Sequence, residues 1–211
     1  MIITSEMIRT MEQRYRSQFI NSLTGFKSAN LIGTQNNQGL TNLCIVSSVV
    51  HLGSNPPAMG YIARPRSVER HTTENIEKTG EFTINQVNTN VFQAAHQTSA
   101  HYPKEMSEFT ETGLTPDYWH HSMAPGVKES HLSILLKLQA IIPIEITQTE
   151  LIIGTIEAVK ISRHAIKNDG FIDLSAINTV AVSGLDNYHS TEKLGRMQYA
   201  QPGIPPVKLN E

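Results

Sequence analysis

The chain has 211 residues, of which 39% are hydrophobic and 17% charged, and its formal net charge is -2. That balance suits a folded globular domain and excludes a disordered chain. A nearly neutral total provides no general field for nucleic acid, so any anion site must be local.

The only cysteine, Cys44, lies in an apolar run and cannot form an internal disulfide, which fits a reducing, cytoplasmic setting. Residues 1–20 scatter Arg9, Arg14 and Arg16 among apolar positions, so no secretory signal is expected. No apolar run approaches the ~20 residues that span a bilayer, so no membrane span is expected. The whole chain, 1–211, reads as one domain.

Ile8, Met11, Tyr15 and Phe19 recur at spacings of three and four, which predicts an amphipathic helix over 5–20. "ANLIGT" and "NLCIVSSVV" read as strands around the turn-forming "QNNQG". Asn55-Pro56-Pro57 interrupts the chain before "AMGYIA" resumes a strand, so Ser28 to Ala63 predicts an antiparallel meander. Thr72 or Thr73 is expected to N-cap the next helix, with Gly80 just past its end. "EFTINQV" follows as a strand.

Residues 88–130 are polar, rich in histidine and aromatics, and predict short helices and loops on a rim. "LSILLKLQAIIPIEITQTELIIGTIEAVKIS" predicts two long strands around a turn near Gln148, with shorter strands in "DGFIDL" and "INTVAVSG". The proline-containing tail over 200–211 is expected to be extended. Strands close in sequence with few helices favour an antiparallel barrel.

The stretch "ARPRSVERHTTENIEKTGEF" gathers arginines and hydroxyls just before a helix. A helix N-terminus offers unpaired N–H groups, and arginine adds a fork matched to phosphate oxygens. Arg64, Ser67, Arg70, His71, Thr72 and Thr73 are therefore candidates for a phosphomonoester site; the alternative is a solvated loop with an ordinary threonine cap. Neither a P-loop nor a dinucleotide fingerprint is present.

Nine histidines invite a metal, but His96 and His101, five apart, and adjacent His120 and His121 match no ligand pair on a helix face. No metal is expected. Ser47-Ser48 lacks the GxSxG flanks of a nucleophile elbow. Aromatics at 6% on strands that are not basic argue against an OB-like nucleic-acid surface.

"TGFKSANLIGTQNNQGLTNLCIVSSVVHLGSNPPAMGYIARP", "RHTTENIEKTGEFTIN", "AHQTSAHY", "ELIIGTIEAVKI" and "LGRMQYAQP" together resemble the flavin reductase-like family of FMN-binding split barrels. The resemblance runs from about Phe26 to Pro202. It implies a mainly β chain, a six-stranded antiparallel Greek-key split β-barrel with a few peripheral helices. It also implies a homodimer with FMN near the subunit interface.

By position, the resemblance places Asn42, Ser47, Ser48 and Val49 along the isoalloxazine ring. Arg64, His71 and Thr72, with Ser67 or Thr73, would surround the phosphate. The implied activity is NADH- or NADPH-dependent reduction of flavin or another acceptor. The alternative is an FMN-binding electron carrier without efficient turnover. No residue is singled out as catalytic. His51, His96 and His101 are candidates to touch flavin or nicotinamide, and 88–130 falls in the family's variable region.

Overall fold

The computed structural model describes residues 1–67 and 70–209; Val68 and Glu69 of the basic stretch and Asn210 and Glu211 of the tail lie outside them. Two helices, α1 (Ser5–Thr10) and α2 (Gln13–Ser22), precede the sheet. The single helix expected over 5–20 is thus divided. Met11 takes an extended conformation, and Glu12 caps the second helix by accepting from the Tyr15 N–H.

The main strands are β2 (Asn30–Gln35), β3 (Thr41–Val46), β4 (Val50–Ser54), β5 (Pro57–Ala63), β6 (Glu81–Gln86), β9 (Leu132–Ile144) and β10 (Thr149–Ile161). They form one antiparallel sheet in the order β3-β2-β6-β9-β10-β5-β4. It has seven strands where six are expected. The extra ladder is β4 on β5, closed by the turn at Asn55-Pro56.

The predicted meander from Ser28 to Ala63 is instead two hairpins. β2–β3 lies at one end of the sheet order and β4–β5 at the other. The link Ser47–Val49 crosses between these ends, which is where the barrel splits. Ser48 fastens the link: its hydroxyl donates to the Ile62 carbonyl at 3.0 Å and accepts from the Ile62 N–H at 3.1 Å.

Local sequence explains the turns. Asn36 Oδ1 accepts from the N–H groups of Gln38 and Leu40, and Gly39 takes φ 87°. Gln148 turns the long hairpin with φ 56°. Within that hairpin the register shifts beside Gly154. A Cβ there would meet Leu136 and the Phe82 ring at 2.9 Å, so the core packs against bare backbone.

Helix α3 (His71–Thr79) follows β5 and ends at Gly80, φ 73°, as expected. Neither Thr72 nor Thr73 caps it. The N-cap position is Arg70, and its side chain makes no capping hydrogen bond. Both threonines lie inside the helix, with Thr73 buried.

The remaining elements include α4 (Phe92–Gln97) and α5 (Glu108–Thr112), and the two-residue strands β7 (Pro116–Asp117) and β8 (Gly126–Val127). β1 (Lys27–Ser28), β11 (Val180–Ser183) and β12 (Asn187–Ser190) form a second sheet in the order β1-β11-β12. "DGFIDL" forms only an isolated bridge, Ile166 to Ile172. The tail does not run out straight. Gln198 and Leu209 N–H groups bond back to Val207 and Arg196 carbonyls, pairing the two sides of a turn.

Two apolar clusters flank the main sheet. Ile32, Tyr61, Ile76, Phe82 and Leu136 fill one. Leu31, Leu43, Phe109, Val180 and Val182 fill the other. Leu31 and Ile32 point to opposite clusters, as the two-residue period of a strand requires. β2 is therefore covered on both faces, and the end of β3 is held rigidly beside α3.

Candidate functional site

A cleft of about 1150 Å³ opens where β3, the Ser47-Ser48 link, the end of β5 and the start of α3 meet. Its opposite wall comes from α2, from the segment Thr98–Lys104 after α4, and from the second sheet and its turn. The volume slightly exceeds the roughly 300–1,000 Å³ of ordinary small-molecule sites.

Eight of the nine expected cofactor contacts line this cleft: Asn42, Ser47, Ser48, Arg64, Ser67, His71, Thr72 and Thr73. Val49 is not among the lining residues; it packs against the first apolar cluster. Ser48 lines the cleft, but its hydroxyl is engaged by Ile62. His96 and His101 line the cleft, whereas His51 lies exposed on β4 outside the lining. Among the described residues no three histidine, cysteine, aspartate or glutamate side chains form a metal-binding group.

The arginines of the basic stretch separate by role. Arg66 donates from Nε to Glu150 at 2.8 Å and from Nη2 to Glu77 at 2.6 Å. These carboxylates hold its guanidinium well above the usual arginine range, and Arg66 thereby ties the loop to α3 and β10. Arg70 donates from Nε to the Pro65 carbonyl at 3.0 Å. Arg64 is exposed at the cleft, and no described carboxylate pairs with it. It lines the cleft with the first turn of α3, which the Arg70 side chain leaves uncapped and whose positive dipole end favours an anion.

The floor is polar and dense. Glu108, 7% exposed, reaches under β3 from α5. One of its oxygens accepts from the Leu43 N–H at 2.9 Å, and both lie within 3.0 Å of Asn42 Nδ2. Burial pushes the Glu108 carboxyl above its ordinary range, opposed by the Leu43 N–H, its own N–H, the His71 charge and the Asn42 amide.

Asn42 Oδ1 accepts from the Thr72 hydroxyl at 2.6 Å, and Cys44 Sγ lies 3.3 Å from the same hydroxyl. Burial pushes the Cys44 thiol up to about 11, so it is neutral at physiological pH. The Tyr61 hydroxyl is buried at the edge of this floor with no hydrogen-bond partner among the described residues, and burial raises its pKa well above the usual range.

The opposite wall is looser. Gln18 donates to Asp186 at 3.0 Å, and His96 Nδ1 lies 3.0 Å from the Tyr188 hydroxyl. Gln18, Asp186 and Tyr188, with Glu108, Tyr61 and Cys44, are missing from the set read off the sequence; His96 is in it. Glu108 is 66 residues from Asn42, and Gln18 is 168 from Asp186. No local pattern announces such pairs. One signal was available for Cys44, which lies two residues from Asn42 on the same face of β3.

The donor set fits a flavin mononucleotide. An arginine and an uncapped helix start suit its phosphate, and the orphaned Tyr61 hydroxyl leaves a polar group for a ligand to satisfy. The small side chains of Ser47 and Ser48, in the irregular link between β3 and β4, leave an edge where planar rings can approach.

Residues 25–175 match the family model of the flavin reductase like domain. A split-barrel protein from Shewanella frigidimarina NCIMB 400, named as a candidate flavin reductase, is 56% identical. It superposes with a TM-score of 0.92 over 95% of this chain and 100% of its own. Nitrilotriacetate monooxygenase component B from Bacillus cereus shares the fold with a TM-score of 0.81 at 19% identity, covering 95% of this chain and 98% of its own.

An uncharacterised protein of Aquifex aeolicus (strain VF5) is 29% identical over 115 residues, 54% of this chain. The match spans 59% of that relative, less than two thirds of its length. The chain belongs to the flavin reductase-like family, the flavin-associated oxidoreductases built on a split barrel.

Proposed function

We propose that the chain binds FMN in this cleft and uses NADH or NADPH to reduce it, passing the electrons to free flavin or another acceptor. The observation that carries the reading is the meeting of Arg64 with the uncapped start of α3 at one end of a cleft large enough for a nucleotide and a second molecule. When bound, the flavin supplies the hydride-accepting ring.

The chain's own residues position and screen. Arg64, Ser67 and the first-turn N–H groups of α3 hold the phosphate. Ser47 and Ser48 offer backbone N–H groups to the pyrimidine edge, where negative charge grows on reduction. The Cys44 thiol, half-buried in the cleft and neutral, adds no competing charge. Thr98–Lys104 and the α2 wall leave the room a nicotinamide needs over the exposed ring face.

The same reading takes the chain as one FMN-binding domain working as a homodimer in the cytoplasm. Phe26, 71% exposed, and Leu23, 64% exposed, form an apolar start to the barrel that a second copy would cover. Light scattering should give twice the 23.4 kDa chain mass.

The test is the visible spectrum of purified protein with FMN, repeated anaerobically after NADH or NADPH. Bleaching of the bound flavin at a useful rate supports the reductase. Bound flavin that neither donor bleaches favours the electron-carrier alternative. Failure to bind FMN removes the reading.

A further inference from the structure

The polarity of the hydrogen bonds beneath the cleft is set by one buried group. The Glu108 carboxylate only accepts, so Asn42 must turn its amino group toward it; Nδ2 lies 3.0 and 2.9 Å from the two oxygens. The second Glu108 contact, from the Leu43 N–H at 2.9 Å, fixes the carboxylate against β3. Asn42 is 8% exposed, so water has little access to this pair.

With its amino group committed, Asn42 presents its carbonyl oxygen to Thr72. The Thr72 hydroxyl donates its one proton there, at 2.6 Å. Cys44 Sγ, the other neighbour of that hydroxyl at 3.3 Å, is the weaker acceptor, so the proton stays directed at Asn42. Thr72 therefore meets the cleft with lone pairs and no proton. A phosphate dianion also offers only acceptors, so the Thr72 side chain has nothing to give it.

We propose that Glu108 is a positioning residue: through Asn42 it holds the Thr72 hydroxyl as an acceptor, so that Thr72 reads a donor on the ligand, a ribityl hydroxyl or the imide N–H of a flavin, and not the phosphate. The inference rests on the FMN reading above. It also moves Thr72 out of the phosphate set and leaves that role to Arg64, Ser67 and the helix backbone. Glu108 touches no ligand itself. It also means that the segment from Pro103 to Glu108 is not independent of cofactor binding, because it ends on the group that orients Asn42.

Glu108→Gln isolates the effect at nearly constant volume. Its amide keeps one oxygen for the Leu43 N–H and places an amino group where the other oxygen stood. Asn42 Nδ2 then faces that amino group across the 3.0 Å contact, and the repulsion of the two donors turns Asn42 so that its carbonyl meets the new amino group and its own amino group faces Thr72. The Thr72 hydroxyl becomes the acceptor of that bond and points its proton into the cleft, donor against donor.

The experiment measures FMN and riboflavin dissociation constants by fluorescence titration for wild type, Glu108→Gln, Thr72→Val and the double variant, with thermal melts alongside. The expected result is a loss of about tenfold for both flavins in each single variant. The FMN-to-riboflavin ratio stays constant, and the double variant is no weaker than Thr72→Val.

A folded Glu108→Gln protein with unchanged affinity for both flavins overturns the proposal, because Glu108 then acts only in stability. Loss confined to FMN in either variant overturns it by placing Thr72 on the phosphate. Should Glu108→Gln fail to fold, Thr72→Val alone still tests which part of the ligand Thr72 reads, and a loss confined to FMN or no loss at all overturns the proposal. Wild type that binds neither flavin overturns the cofactor reading and this inference with it. Wild type that binds both separates the two failures.

Discussion

The two walls of the cleft are built in opposite ways. The β3–α3 wall has its polar groups locked: Glu108, Asn42, Thr72 and Cys44 form one connected set under a sheet covered on both faces. The opposite wall is assembled from α2, a post-helix segment and a turn, joined by separate side-chain pairs such as Gln18–Asp186 and His96–Tyr188. A wall of fixed dipoles suits a resident group whose electronics must be held constant. A wall of exposed, separately tethered side chains suits a molecule that comes and goes. On the proposed reading the cofactor lies against the first wall and the exchanging substrate against the second.

The largest expected effect breaks the first wall at its charged end. Arg64→Ala should weaken FMN ten- to a hundredfold, the worth of about 1.5–3 kcal/mol for a charge-assisted bond, and riboflavin little. Arg66 is the internal control. Its guanidinium, 42% exposed, is already spent on Glu77 and Glu150. Arg66→Ala should cost at most ~1 kcal/mol of stability and leave FMN affinity within about twofold. Equal losses from the two substitutions would erase the distinction between them.

Next comes the link between the sheet edges. Ser48→Ala removes a hydroxyl that satisfies both backbone groups of Ile62. Urea denaturation should show a loss of about 1–2 kcal/mol. No change in midpoint would mean that the link is held by something other than Ser48.

On the looser wall, Gln18→Ala frees Asp186 and should change the KM for nicotinamide by about threefold, the value of a modest exposed hydrogen bond. FMN affinity should hold. A larger effect on FMN than on nicotinamide would reverse the assignment of the walls.

The smallest effect concerns Cys44. Its folded pKa of about 11 lies above the ~8.5 of an unfolded cysteine, so folding favours the neutral thiol. Its contribution is complete below the unfolded value and is lost as pH rises toward 11. Alkylation should be very slow at neutral pH and accelerate above pH ~9, where the thiolate begins to form. Fast modification at pH 7 would show that the floor is open.

What was legible in the sequence follows the same division. The proposed phosphate end is nearly contiguous: Arg64, Ser67 and the start of α3 lie within one stretch, and Gly80 marks the helix end by its need for positive φ. The long hairpin was legible because its two 13-residue strands flank a single turn. The strand order was not, because "NLCIVSSVV" reads as one continuous run. Only the pairing of β5 with the distant β10 shows that the chain leaves one end of the sheet for the other at Ser47.

Glu108 carried no signal as a glutamate among polar neighbours. Its meaning comes from burial under Leu43. The threonine cap failed for a related reason: Thr72 has a stronger tertiary partner in Asn42 than the helix offers locally.

The account's central claim is that the phosphate of a flavin mononucleotide sits at the start of α3 and the ring along β3. A crystal structure of the protein with FMN bound tests it most directly. The account predicts phosphate oxygens within hydrogen-bond distance of Arg64 and the first-turn N–H groups of α3, with the Thr72 hydroxyl facing a donor on the flavin. A phosphate found against Arg14 and α2, with α3 untouched, would contradict it.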